Sequence, residues 1–270
     1  MLFSWLDDRR RRKLLEQPFP DAWLEILRRR VAHWRWLDDD EQAHLRALVQ
    51  VFEHEKHWEG AGGLELTDEI RVTIAAEACL LILGLDHGLY RQVDSIVVYP
   101  HAVVAPPPAP SFFAVPRGLP QTSVPIHGQA FSRGPVILVW DAVRRGAANP
   151  TDGHNVVYHE FAHKLDMLSG GADGVPPMQD RAHYDRWVEV FTREYEAMRV
   201  RAEAGRRTWL GDYALTNGAE FFAVATEHFF EQPLEMEREH AAMYEVMRDF
   251  YRQDTAARAR RHRAQDRRGR

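Results

Sequence analysis

The stretch NVVYHEFAHKLDML, residues 155–168, places two histidines four positions apart within a run of apolar residues. On an α-helix, residues i and i+4 lie one above the other on the same face. His159 and His163 can therefore each direct a ring nitrogen at a single ion, and zinc accepts two imidazoles in this way. Glu160 projects to the side of this pair, where it is placed to act as a general base rather than as a ligand. The pattern predicts a helix that forms the floor of a metal site.

A third protein ligand is needed, because catalytic zinc sites use three side chains and keep one position open for water. The stretch LGDYALTNGAEFFAVATEHFFEQP, residues 210–233, contains Glu220 and Glu227, which are seven residues apart and share one face of a second predicted helix. Spacing alone does not decide between these two glutamates. Asp212 and His228 in the same stretch are weaker candidates.

Two further residues are candidates for supporting roles. Tyr213 stands seven residues before Glu220, and its phenol could donate a hydrogen bond to the oxyanion that forms when water attacks a carbonyl. On physical grounds alone, such a tyrosine is more often a packed aromatic residue. Asp166 lies three residues after His163 on the predicted helix. It would either hold a ligand imidazole by its second ring N–H or be a solvated helix residue, and the sequence leaves both interpretations open.

The chain as a whole predicts a helix-rich α+β fold with a small β-sheet beside the HExxH helix. Apolar residues recur at helical spacing, most clearly in a buried helix at 67–85 and a long helix at 181–201. Two β-branched runs, 95–100 and 134–141, are bounded by Pro and Gly and predict strands. The run VILVW, residues 136–140, is the strand that we expect to pair with an extended peptide substrate.

One domain is expected over residues 1–256, with a helical N-terminal part at about 1–90. The segment 105–120 is rich in proline, so it predicts an irregular loop. The strongly basic residues 257–270 predict a solvated, disordered tail.

Composition excludes several classes of function. The net charge of −5 gives no general basis for binding nucleic acid or an anionic membrane. The single cysteine, Cys79, excludes an intrachain disulfide and suits a reducing compartment. The longest apolar run, 75–85, is shorter than the roughly 20 residues of a membrane span, and the first residues lack the order of a secretory signal. We therefore expect a cytoplasmic protein without a membrane or direct nucleic-acid partner.

The chain resembles the Mlc titration factor A family of zinc peptidases, whose catalytic part is similar to that of anthrax lethal factor. The resemblance covers nearly the whole chain, and its most specific parts are the HExxH segment and the segment from Tyr213 to Glu220. The segments that carry it are PFPDAW (18–23), EKHWEGAGGLELTDEIRVTIAAEACLL (55–81), IVVYP (96–100), GPVILVW (134–140), NVVYHEFAHKLD (155–166), YALTNGAEFFAVATEHFF (213–230) and YRQD (251–254).

The resemblance implies a complete site, with one Zn²⁺ bound by His159, His163 and Glu220, with Glu160 as the general base and with Tyr213 as the oxyanion donor. This resemblance, and not the spacing, selects Glu220 over Glu227 as the ligand. It further implies a zincin-like fold and aminopeptidase-type hydrolysis of short peptides. It also implies binding of the glucose-responsive repressor Mlc, which relieves repression of the glucose phosphotransferase system.

Two positions depart from the family pattern. Gly218 stands where proline is frequent, and Gln129 stands where an acidic residue is usual. Neither change removes an expected ligand, but both bear on substrate choice and repressor binding. The alternative function is therefore a regulatory protein that sequesters a transcriptional repressor, with peptidase activity secondary. A purely structural zinc is a third interpretation, and Glu160 argues against it because a structural site needs no base there.

Overall fold

The computed structural model describes most of the chain, namely residues 10–101, 103–104, 125–126, 128–130 and 134–268. The predicted Pro-rich loop at 105–120 and the side chain of Gln129 lie outside the described parts. Among the residues that are described, no helix combines the length and the apolar character that a bilayer span requires.

A four-stranded sheet forms one layer of the molecule, with the strand order β1-β2-β6-β5. The strands β1 (His57–Gly60), β2 (Ser95–Tyr99) and β6 (Val136–Val139) are parallel, and β5 (Gly128–Ala130) pairs antiparallel with β6. A separate antiparallel pair consists of β3 (Val103–Val104) and β4 (Pro125–Ile126). The sheet packs against the helix of the HExxH motif through β5 and β6. The predicted strands and their place beside this helix are confirmed.

The strand β6 lies inside the sheet, between β2 and β5. Both rows of its backbone N–H and C=O groups therefore serve the neighbouring strands, and no row is left for a peptide. The prediction that VILVW pairs with substrate is wrong for this reason. Trp140, the last residue of that run, already belongs to the next helix.

Two helices of the N-terminal part have strong local start signals. Asp38 and Glu41 make a reciprocal capping box at the start of α3, in which each side chain accepts a hydrogen bond from the other residue's backbone N–H. Thr67 caps α4, which is buried almost all round, as the sequence predicts. The helices of this part are α1 (described over 10–15), α2 (Asp21–Arg30), α3 (Asp39–Glu55) and α4 (Asp68–Leu81).

The helix of the HExxH motif is α6 (Val156–Asp166). It packs against the sheet, the core helix α4 and the helix α8. Aromatic side chains of α7, α8 and α10 pack together in the core: Trp187 stacks on Phe191 and meets the rings of Phe222 and Phe250 edge to face. The α-helices that follow β6 along the chain are α5 (Trp140–Ala148), α6 (Val156–Asp166), α7 (Arg181–Glu203), α8 (Gly218–Glu231), α9 (Pro233–Glu239), α10 (Ala241–Tyr251) and α11 (Thr255–Arg268).

The basic C-terminal segment forms a docked helix as far as Arg268, so the prediction of a disordered tail is wrong for the described residues 257–268. Ala256, Arg258 and Ala259 of α11 are buried, and the Arg258 guanidinium lies 2.7 Å from a carboxylate oxygen of Glu41. The charge run resembles a solvated tail when read alone. Its acidic partner lies more than 200 residues earlier in the chain, and only the fold brings the two together.

Candidate metal centre

The helix α6 owes its position to a polar cap at one end and an apolar face along its length. The Oδ1 atom of Asn155 accepts hydrogen bonds from the backbone N–H groups of Val157 and Tyr158, at 3.1 and 3.2 Å. This N-cap satisfies two of the donors that a helix start leaves free. The face that carries Phe161 and Leu165 is fully buried. That burial turns the other side of the helix, with its two histidines, towards α8.

The helix α8 brings its carboxylates to α6 in antiparallel order. Its N-cap, Asn217, accepts a hydrogen bond from the backbone N–H of Glu220 at 2.9 Å, which holds Glu220 in the first helical turn. Glu220 lies beside His163, whereas Glu227, two turns later, lies beside Asn155 at the start of α6. The two helices therefore run in opposite directions, and α8 presents both glutamates to the same side of α6.

His159, His163 and Glu220 come together at one point between the two helices. The Oε2 atom of Glu220 is 3.0 Å from His159 Nε2 and 3.5 Å from His163 Nε2, and the two ring nitrogens are 3.2 Å apart. Their side chains are only 12%, 11% and 18% exposed. Within the described parts of the chain, this is the one group of three or more acidic, imidazole or thiol side chains whose atoms are close enough to share an ion.

Glu227 occupies the opposite side of the His159 ring. Its Oε1 atom is 2.9 Å from His159 Nδ1, and its Oε2 atom accepts a hydrogen bond from the backbone N–H of Asn155 at 2.6 Å. The spacing of Glu220 and Glu227 left the ligand undecided, and the structure separates them: one carboxylate faces Nε2 of the ring and the other faces Nδ1.

Other candidates from the sequence lie away from this cluster. Asp166 is fully buried, so its interpretation as a solvated residue is wrong, and its carboxylate accepts a hydrogen bond from the backbone N–H of Gly174 at 2.9 Å. It thus anchors the loop after α6, and the contact expected between Asp166 and an imidazole is made by Glu227 instead. His228 bonds to the carbonyl of Val224 in its own helix, and Asp212 is exposed.

The charges around His159 oppose the effect of its burial. Burial alone would lower the pKa of this imidazole, but Glu220 and Glu227 raise the pKa of His159 to about 10. For Glu220, burial acts to raise the pKa, yet the two imidazoles outweigh burial and hold the pKa of its carboxyl well below the ordinary value. The cluster is therefore a centre of negative charge in a mostly buried place, and a cation satisfies it.

Glu160 and Tyr213 border the cluster. Glu160 is 4% exposed, and no hydrogen bond reaches its Oε2 atom from any described residue. Burial raises the pKa of Glu160 to about 8. Tyr213 is 60% exposed, with its ring centroid 5.9 Å from that of His159. Partial burial and the nearby Glu220 raise the pKa of Tyr213 above its usual range, so its phenol keeps the proton needed for donation.

Reasoning from the sequence did not find the contacts that Glu227 and the residues around Asn155 make. Two signals were available. Glu227 repeats the position of Glu220 two helical turns on, and Glu77 interrupts an otherwise apolar helix. A charged residue in an apolar helix needs a buried polar partner, and Glu77 has one in the Asn155 amide, at 2.7 Å.

Two imidazoles, a carboxylate, a nearby second carboxylate and a protonated phenol form the donor set of metal-dependent peptidases. Comparison with known sequences confirms this class: the profile of the glucose-regulated metallo-peptidase M90 family matches residues 5–252. The chain belongs to this family.

Several relatives align over most of their length. An uncharacterized protein of Synechocystis, slr2042, is 37% identical over 249 residues, which is 92% of this chain and 89% of the relative. The Mlc titration factor A of Serratia proteamaculans is 32% identical over 235 residues, 85% of this chain and 87% of the relative. That of Pectobacterium atrosepticum is 31% identical over 230 residues, 82% of this chain and 83% of the relative. The family resemblance seen in the sequence is thereby confirmed.

Proposed function

We propose that this protein is a zinc-dependent peptidase of the aminopeptidase type, acting on short peptides in the cytoplasm. The observation that carries the proposal is the spacing of the three donor atoms, at 3.0, 3.2 and 3.5 Å from one another. Ligands about 2.0–2.1 Å from a tetrahedral zinc ion lie roughly 3.3 Å apart. The donors therefore fit one Zn²⁺, and the choice of two nitrogens and one oxygen matches that metal.

The side chains around the ligands supply the remaining chemistry. Bound zinc polarises a carbonyl and lowers the pKa of water. Glu160, buried and without a hydrogen-bond donor at Oε2 among the described residues, takes the proton of the attacking water and passes it to the leaving amine. Tyr213 donates its phenolic hydrogen bond to the oxyanion. Its large exposed fraction leaves room for a substrate beside it.

In this proposal, the peptide substrate binds along β5 and not along β6. Among the described strands, β5 ends the sheet on the side of α6 and is paired with β6 alone. Its outer row of backbone groups can therefore accept an extended peptide as an added strand.

Replacing Glu160 with Gln tests the enzymatic proposal. The variant keeps its shape but cannot accept a proton, so we expect hydrolysis of aminoacyl anilides to fall by about 10²–10⁴-fold. Zinc content, measured on the purified protein, should equal that of the wild type. Removal of the metal by a chelator should abolish the wild-type activity, and readdition of zinc should restore it. Undiminished hydrolysis by Glu160→Gln would refute the role of this residue.

A second function is supported by the names of the relatives, which are titration factors for Mlc. In this alternative the protein sequesters a transcriptional repressor, and peptidase activity is secondary. A pull-down with the repressor of the same host separates the two proposals when the bait is the Glu160→Gln variant. Repressor capture by this inactive variant would establish a binding function that does not need catalysis. If neither the wild type nor the variant captures the repressor, the peptidase function alone remains.

A further inference from the structure

We propose that Glu227 is the positioning residue of the metal centre, and that it fixes the tautomer and the orientation of His159. This inference rests on the proposed zinc site and adds the part that holds one ligand in place.

The two oxygens of Glu227 contact two points of the same helix. Oε1 lies 2.9 Å from His159 Nδ1, and Oε2 accepts the backbone N–H of Asn155 at 2.6 Å. Asn155 is the N-cap of α6, and His159 is one turn further along. The carboxylate therefore spans the first turn of α6, and the ring cannot rotate without breaking a hydrogen bond to a buried anion. Glu227 is itself 6% exposed, so water cannot readily replace it.

The contact at Nδ1 selects which nitrogen of His159 is available. A carboxylate is an acceptor only, so Nδ1 must carry the hydrogen. In a neutral imidazole the other nitrogen, Nε2, then has the free lone pair. Nε2 is the atom that faces Glu220 and His163. Hydrogen bonding to an anion also makes the imidazole a stronger base and thus a better ligand.

The loop ahead of α6 is clamped by three buried carboxylates from two helices. Glu77 of α4 accepts from the Asn155 amide at 2.7 Å, and Glu231 of α8 accepts from the backbone N–H groups of Gly153 and His154 at 2.9 and 3.0 Å. The Glu227 carboxylate accepts the next backbone N–H along the chain, that of Asn155. The start of α6 is thus tied to the core, and His159 is tied to that start.

Glu227 and Glu231 differ in one respect that a test can use. They lie one turn apart on α8, both are buried, and both accept backbone N–H groups of the same loop. Of the two, Glu227 contacts an imidazole of the metal cluster. An effect that comes only from altering a loop contact should therefore appear in variants of both residues, whereas a loss of ligand positioning should appear only in variants of Glu227.

The experiment compares Glu227→Gln with Glu231→Gln in the full-length protein. Zinc affinity is measured by competition with a chromophoric chelator, and the visible absorption of the Co²⁺-substituted protein reports ligand geometry. We expect Glu227→Gln to weaken zinc binding by about 10–100-fold and to change the cobalt spectrum. Glu231→Gln keeps an oxygen that accepts the same backbone N–H groups, so it should retain a zinc affinity within about threefold of the wild type and an unchanged cobalt spectrum. Glu227→Asp, which keeps the charge but shortens the reach, should lie between wild type and Glu227→Gln.

The outcomes separate this inference from the function it rests on. If the wild type binds no zinc, the metal centre itself fails, and this inference fails with it. If the wild type binds zinc and Glu227→Gln retains its affinity and spectrum, the positioning role alone is refuted. Equal weakening of zinc binding in both variants would also refute it, because anchoring of the loop would then explain the effect. Should Glu227→Gln fail to fold, the same readouts on Glu227→Asp decide the question.

Discussion

At the scale of single residues, the centre is governed by charge placed around one imidazole. His159 faces Glu220 with one nitrogen and Glu227 with the other, at 3.0 and 2.9 Å. A buried ring between two carboxylates gains far more from a positive charge than it loses by desolvation. A proton and a metal ion are therefore competitors for the same place.

This competition predicts a strong pH dependence of zinc binding. Glu220 and Glu227 overcome burial and raise the pKa of His159 to about 10, so the metal-free ring carries an extra proton at neutral pH. A ligand imidazole must be neutral, so zinc has to displace that proton. We expect zinc affinity to rise as pH increases from 6 to 9, with proton release on binding. Calorimetry in two buffers of different ionisation enthalpy measures the release, and a binding constant independent of pH would contradict the expectation.

At the scale of secondary-structure elements, two asparagine caps set the geometry of the site. Asn155 starts α6 four residues before His159, and Asn217 starts α8 three residues before Glu220. A ligand in the first turn of a helix is only as fixed as the cap that holds that turn. Both asparagines precede apolar runs in the sequence, but neither was predicted to be a cap, and their connection to the ligands depends on the packing of α6 on α8.

Removing the cap of α8 should therefore affect stability and metal binding together. Asn217→Ala loses the hydrogen bond to the backbone N–H of Glu220, and we expect a loss of about 1 kcal/mol in the free energy of unfolding. Urea denaturation of the metal-free protein measures this loss. Zinc should bind more weakly because the turn that carries Glu220 frays.

The matched control is Asn217→Asp, whose carboxylate can still accept the same N–H. It should keep both the stability and the zinc affinity near those of the wild type. Equal losses in the alanine and aspartate variants would show that the cap is not the cause.

At the scale of the whole molecule, the C-terminal helix α11 binds to the N-terminal helical part through the start of α3. Arg258 of α11 is 4% exposed and bonds to Glu41 near the start of α3, and the ring of His262 stacks on Trp36. These contacts lie away from the metal cluster, so they bear on stability rather than on the chemistry.

Arg258→Ala should accordingly destabilise the protein without changing zinc affinity. The variant loses the charged hydrogen bonds from Arg258 to the partly buried carboxylate of Glu41. We expect the free energy of unfolding to fall by about 1.5–3 kcal/mol. Thermal or urea unfolding measures the change.

Arg263, which is exposed on the same helix, offers the control, and its replacement by Ala should stay within about 0.5 kcal/mol of the wild type. A similar effect of both replacements would mean that α11 contributes only through its general charge.

The sequence by itself determined the helices with clear periodicity, the two β-branched strands and the two histidines that meet at the candidate metal centre. Helical spacing brings His159 and His163 together by local geometry alone, and the family resemblance singled out Glu220. Tertiary structure alone decided the rest: Glu227 as the partner of His159 Nδ1, β6 as an inner strand, and the basic tail as a docked helix. The physical reason is the same in each case. A hydrogen bond, a strand edge or an ion pair between distant residues depends on packing, and the local pattern of a sequence does not contain it.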